Sequence, residues 1–340
     1  MFVPTTFTVA MLMMVMSAVC WGSFANTYKI TKSYRFELFY WDYAFGIVLI
    51  SIVLALTFGS MYHNADSFLT NVKSADTSNI VYALIGGFIF NIANLLLIAG
   101  IEMAGLAVAF PISIGIAMVV GVVLSYVLEP KGNALLLAAG VALAVAAVIM
   151  DGKAYSNLPR QRRESDTANS DMPVEKGSVS QKSLMICITS GMLMGCFAPF
   201  VTRALTAGNK LGPYSIAVFF TIGALVCCFF VNTSFMRRPL VGEPVKFSGY
   251  FAARPLYHGL GLLGGAIWGL GTVLNFVAAS LVGVAISYAV GQASPMVAAL
   301  WGILVWREFR DATGKVKTYL GLMFLCYVLA LVVISRAYNA

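Results

Sequence analysis

Charge is what this sequence has least of. Only 11% of its 340 residues are Asp, Glu, Lys or Arg, and histidine occurs twice, as His63 and His258. A catalytic centre needs converging nucleophiles, metal ligands or paired acids, and so few such residues argue against an enzyme. The cysteines Cys20, Cys187, Cys196, Cys227, Cys228 and Cys326 all lie in apolar runs without metal or redox spacing, so they read as small packing residues. No Gly-Lys-Ser/Thr phosphate loop occurs. Period-two alternation is missing, which excludes a membrane barrel. The net charge is +8, but the basic residues sit between apolar runs rather than on one face, so no nucleic acid is expected as a partner. Neither a cofactor nor a metal is expected. The apolar stretch 7–26 lacks a basic leader and a small-x-small cleavage site, and reads as a first membrane span rather than a cleaved signal.

What is present is hydrocarbon. Sixty per cent of the residues are hydrophobic and the mean hydropathy is +0.86, well outside the soluble globular range. Apolar runs fall at 7–26, 38–58, 80–100, 105–128, 133–150, 184–206, 213–233, 258–279, 283–305 and 316–336. Each is long enough to cross a bilayer as a helix, the one open-ended element that satisfies its own backbone polar groups there. The expected fold is all-α and integral to the membrane, with ten transmembrane helices. Seventeen of the 22 Lys and Arg residues fall on one side of this topology and five on the other. The positive-inside rule then places both termini outside and the polar segment 151–183 in the cytoplasm, in a plasma (inner) membrane. That segment, rich in Ser, Pro and charges of both signs, is expected to be a flexible linker.

The chain also repeats. Shifted by 178 residues, Gly86, Gly87, Ile89, Leu96, Gly105, Ala107, Met118, Val119 and Val127 meet identical residues at 264, 265, 267, 274, 283, 285, 296, 297 and 305. Nine identities stand where roughly four are expected by chance. At an offset of 173, Ser17, Gly22, Phe24 and Ala25 meet Ser190, Gly195, Phe197 and Ala198. The organisation expected is a first five-helix repeat (1–150), the linker (151–183) and a second five-helix repeat (184–340). Five is odd, so the second copy runs inverted. Inverted repeats are how many secondary transporters build exchangeable half-gates around a midplane site.

Polar residues inside spans are costly and therefore candidates for function. Asn91 and Asn94 share a helix face in the third span; Trp268, Thr272 and Asn275 form a stripe in the eighth. Tyr288 and Gln292 lie four apart in the ninth with Ser294 beyond, Ser113 follows Pro111 in the fourth, and Trp21 lies late in the first. Aromatic plates with amide and hydroxyl groups suit a polar, uncharged solute. The same amides serve equally as interhelical hydrogen bonds, and the glycines as close helix contacts. Asp42, one turn into the second span, and Glu102, at the end of the third, are candidates for proton coupling. Asp42 reads alternatively as a rim partner for a Lys or Arg. Neither histidine offers a reason to be called a metal or proton site.

Several of these residues carry a resemblance. Asp42-Tyr43, Gly86-Gly87 with Asn94-Leu95, and Gly105-Leu106 through Leu124, Tyr126 and Glu129 match in the first half. Trp268-Gly269 with Gly271, Gln292-Ala293, Pro295, Trp301-Gly302, and Glu308 with Arg310 match in the second. The chain resembles the drug/metabolite transporter superfamily, most closely plant-type ureide permeases and their bacterial relatives, and more distantly the bacterial glucose and rhamnose uptake families. The resemblance implies a ten-helix fold whose central cavity is lined by the first, third, fourth, sixth, eighth and ninth spans. It further implies proton-linked import of small neutral solutes such as ureides, nucleobases or sugars. The linker lacks the phosphate-loop-like sequence described for the plant proteins, so nothing here argues for nucleotide regulation. An exporter of metabolites or drugs on the same fold is the alternative. The partners expected are a small-molecule substrate, protons, the lipid bilayer and a second copy of the chain.

Overall fold

The computed structural model describes residues 1–31, 34–61, 67–104, 106–167, 180–310, 312 and 314–339. His63, Gly105 and residues 168–179 of the expected linker lie outside the described residues. Among those described the secondary structure is helical, without a strand. Ten helical units are long and apolar enough to cross a membrane: Phe7–Ile30, Phe36–Ser60, Thr77–Ala104, Val108–Leu128, Ala134–Asn157, Gln181–Thr206, Pro213–Arg237, Pro255–Val282, Val284–Leu304 and Gly314–Tyr338. They are the ten runs expected from hydropathy. Large side chains such as Leu49, Val127, Leu135, Phe230 and Leu304 are exposed on their outer faces, as lipid contact requires.

Local chemistry sets several helix ends. Pro213 and Pro255 open their helices at a position where a missing N–H costs nothing. The Asn133 side chain accepts from the backbone N–H groups of Leu135 and Leu136, at 3.0 and 3.1 Å, and caps the fifth span. Gly283, at φ 87° and ψ 155°, makes the tight break between the eighth and ninth spans, a conformation that only glycine adopts at low cost.

One expectation about a connector changes. The fifth helix continues to Thr167, so the first half of the segment read as an irregular linker is helical. The connector before the eighth span carries a short helix, Phe247–Phe251. The residues 134–167 hold helix geometry because Ala, Leu, Lys, Arg and Gln all favour it, and polarity alone does not break a helix already nucleated.

The helix pairings repeat between halves. The second span packs on the eighth and the seventh on the third; the first packs on the eighth and the sixth on the third; the fifth and tenth pack on each other. Glycines permit the closest of these crossings. A side chain at Gly265 would collide with the Tyr43 carbonyl, and one at its counterpart Gly87 with the Phe220 carbonyl. In lipid, where apolar burial gives helices no net drive to associate, such backbone approach supplies the packing that holds them.

Candidate functional site

The cavity begins where helices are interrupted. The first span is broken at Phe24, between Phe7–Ser23 and Ala25–Ile30, and the sixth at the counterpart Phe197, between Gln181–Cys196 and Ala198–Thr206. The ninth is broken at Gln292-Ala293, between Val284–Gly291 and Ser294–Leu304. Pro295 causes the last break, because it has no N–H to return to the Gly291 carbonyl. Interrupted helices in a membrane interior are tolerated where they line a cavity.

A chamber of about 120 Å³ lies among these breaks. Its walls come largely in pairs related by the sequence repeat: Trp21 with Met194, Phe24 with Phe197, Phe90 with Trp268, Asn94 with Thr272, Leu97 with Asn275, Phe110 with Tyr288, and Ile114 with Gln292. Phe220, Phe276, Val284 and Ser294 complete it. The cavity therefore draws on the six spans expected and adds the seventh through Phe220. Trp268 stacks on Trp21 at 6.1 Å and on Phe90 at 4.9 Å. The Trp21 indole N–H donates to the Thr272 hydroxyl at 3.2 Å, which fixes the plate across the first and eighth spans.

The polar groups in this wall differ in how far they are committed. The Asn275 amide donates to the Ser287 carbonyl at 3.0 Å, and the Asn94 amide donates to the Tyr40 hydroxyl at 3.0 Å. The Tyr288 hydroxyl is buried and has no protein partner, and Gln292, 7% exposed, lines the same chamber. Among the described residues no charged side chain lines this chamber.

A second chamber of about 440 Å³ shares Trp21, Phe24, Asn94, Leu97, Phe110 and Ser294 with the first and continues from it. It is walled by aromatics from the first, second and fifth spans, among them Tyr28, Phe39, Tyr40, Tyr43 and Tyr155. It ends among Lys29, Glu102, Trp306 and Glu308. Lys29 is ion-paired with Glu308 and lies 4.4 Å over the Trp306 ring, whose N–H donates to Asn26 at 2.6 Å. These contacts tie the ends of the first and ninth spans together at the chamber mouth.

Eight of the ten solute candidates thus line the upper chamber: Trp21, Asn94, Trp268, Thr272, Asn275, Tyr288, Gln292 and Ser294. Asn91 and Ser113 do not. Asn91 accepts a hydrogen bond from Tyr40, and Ser113 donates to the Cys187 carbonyl at 2.9 Å, so both knit helices together. Glu102 lines the lower chamber and is exposed. Asp42 lines neither chamber. Its carboxylate accepts from the Tyr250 hydroxyl at 2.6 Å and meets His258 Nδ1 at 2.7 Å, so its rim partners are a tyrosine and a histidine rather than Lys or Arg. Burial and the Asp42 charge push the Tyr250 hydroxyl up, and Tyr34 nearby is pushed up to about 12 for the same two reasons. Sequence reasoning missed His258 in this role, and missed Phe90, Phe197 and Phe220, which look like ordinary core residues in a run of apolar neighbours.

The ureide permease family model matches residues 39–184 and 174–337, together nearly the whole chain. The chain belongs to the ureide permease family. It is 26% identical to ureide permease 1 of Arabidopsis thaliana over 348 residues, covering 88% of each chain. It is 25% identical to ureide permease 2 of the same plant over 355 residues, again 88% of each. A probable ureide permease A3 of Vigna unguiculata is 23% identical over 335 residues, 81% of this chain and 88% of that one. A solved crystal structure superposes with a TM-score of 0.60 at 14% identity, over 97% of this chain and 98% of its own, and so shows a shared fold. This ureide permease family member is a multi-pass membrane transporter.

Proposed function

We propose that this protein imports a small uncharged polar solute, a ureide or a nucleobase, by proton symport and alternating access. The observation that carries the reading is the buried, unpartnered Tyr288 hydroxyl, beside Gln292 in the wall of a chamber floored by Trp268. A planar ring bearing alternating N–H and C=O groups stacks on an indole and exchanges hydrogen bonds with an amide that is both donor and acceptor. A sugar offers hydroxyls and a less planar face to the same groups, and is the weaker fit. The family to which the chain belongs supports the ureide class. The repeat-related wall pairs support an inverted arrangement in which the halves exchange roles around this site. Both termini then lie outside, and the lower chamber opens to the cytoplasm of the plasma membrane.

The test is uptake into proteoliposomes of labelled allantoin, uracil and glucose, with and without an inward pH gradient. Accumulation of allantoin or uracil above equilibrium, only with the gradient, is expected. Flux of hydrophobic cations alone would sink the import reading in favour of an exporter.

A further inference from the structure

Among the described residues two carboxylates are buried, Asp42 and Asp151, 4% and 5% exposed. Asp42 has both oxygens engaged, as described above. Asp151 differs: its Oδ1 is buried with no hydrogen-bond partner, and its side chain forms part of the wall of the lower chamber. It was read from the sequence only as the first residue of a polar linker. The helix instead runs on through it, which brings Asp151 to the inside of the bundle.

Among the described residues, the groups around it leave its charge uncompensated. Tyr155, one turn further along the same helix, is hydrogen-bonded to Glu308. Tyr327 of the tenth span is close enough to feel the Asp151 charge, and its own buried hydroxyl has no partner. The cation of the chamber, Lys29, is paired with Glu308. Lys153, two residues on, points away over the Tyr319 ring at 5.9 Å. Glu102, which also lines the chamber, is exposed and of like sign. An ionised carboxylate with no partner in such surroundings forfeits several kcal/mol of hydration. A proton on it removes that cost, and the chamber supplies the route by which one comes and goes.

We propose that Asp151 is the group that binds the co-transported proton. The proposal rests on the symport reading above. The carboxylate takes a proton while the solute occupies the upper chamber, and releases it to the lower chamber as the acid ionises. Because Trp21, Phe24, Asn94 and Leu97 wall both chambers, proton and solute share one pathway and one change of access.

The full chain is reconstituted in proteoliposomes with a trapped pH dye, and two signals are read with labelled allantoin: solute-evoked proton movement, and counterflow exchange without a pH gradient. Asp151→Asn is expected to abolish the proton signal and to cut gradient-driven accumulation at least tenfold, while counterflow stays within about twofold of the parent. Persistence of proton movement in this variant would overturn the proposal. So would loss of counterflow in a monodisperse protein, which makes Asp151 a solute or structural group. A parent protein that exchanges allantoin but moves no protons removes the symport reading itself, and is recognised before any variant is made. Should Asp151→Asn fail to yield monodisperse protein, Asp151→Glu carries the test. It keeps proton movement but shifts the pH at which driven uptake is half-maximal, and an unshifted profile overturns the assignment.

Discussion

Asp42 and His258, 216 residues apart, meet at 2.7 Å across the second and eighth spans, with the Tyr250 hydroxyl on the other carboxylate oxygen. This joins the connector helix to the rim of the bundle and occupies the carboxylate fully. Asp42→Asn is therefore expected to lower stability by about 2 kcal/mol, the worth of hydrogen bonds to a buried charge. Thermal unfolding followed by size-exclusion chromatography reads the change. Driven uptake per folded molecule is expected to survive. Its loss at unchanged thermal stability would return Asp42 to the role of a proton group.

Gln292 and Asn91 make opposite predictions from similar side chains. Gln292 lines the upper chamber, and Asn91 accepts from Tyr40 at a helix contact. Gln292→Leu is expected to raise the half-saturation for allantoin at least tenfold, about 1.4 kcal/mol, with little effect on unfolding. Asn91→Leu is expected to do the reverse, because it leaves the buried Tyr40 hydroxyl without an acceptor for its proton. Saturation curves beside melting curves check both. Equal half-saturation values in the two variants would remove Gln292 from the site.

The ten spans were legible because hydropathy over some 20 residues is a strong signal, and no other element satisfies a backbone in lipid. The site was legible in part, and the reasons are local. The cost of polar groups inside spans directed attention to Asn91, Asn94, Thr272, Asn275 and Gln292, and all but Asn91 line one chamber. Helical periodicity could not say that Asn94 lines the chamber while Asn91, three residues away and bonded to the same Tyr40 hydroxyl, does not, since a 3.6-residue period leaves the two about 60° apart. Asp42 and His258 are remote in sequence, and nothing in either run names the other. Asp151 was hidden by the drop in hydropathy at 150, which marks where apolar residues stop and not where a helix does.

Glycine contacts give the sharpest test of the packing. Gly87 and Gly265 have no room for a methyl against the facing carbonyls, whereas nothing lies within 4 Å of the corresponding position at Gly115. Gly87→Ala and Gly265→Ala are each expected to abolish monodisperse protein or to cost more than about 3 kcal/mol, as overpacking of a rigid contact does. Gly115→Ala is expected to be neutral or to stabilise by about 0.5–1 kcal/mol through helix propensity. Fluorescence-detected chromatography of the three variants decides it. Tolerance at 265 would mean that the second and eighth spans are not in backbone contact.

The proposed orientation rests on charge and decides how the present conformation is read. Lys29, Lys153 and Arg307 belong to the side holding 17 of the 22 basic residues, and the lower chamber ends on that side. In the orientation proposed from the positive-inside rule the lower chamber faces the cytoplasm, with the Lys29–Glu308 pair and Trp306 at its inner mouth. Ser74, in the connector after the second span, and Ser156, near the end of the fifth, are both exposed and lie on opposite sides. Ser74→Cys is expected to react with a membrane-impermeant thiol reagent in intact cells, and Ser156→Cys only after permeabilisation, against a parent whose own cysteines are buried or half-buried. The reverse pattern would place the termini in the cytoplasm, turn the chamber mouth to the outside, and make this an outward-facing state in which Asp151 loads its proton rather than releases it.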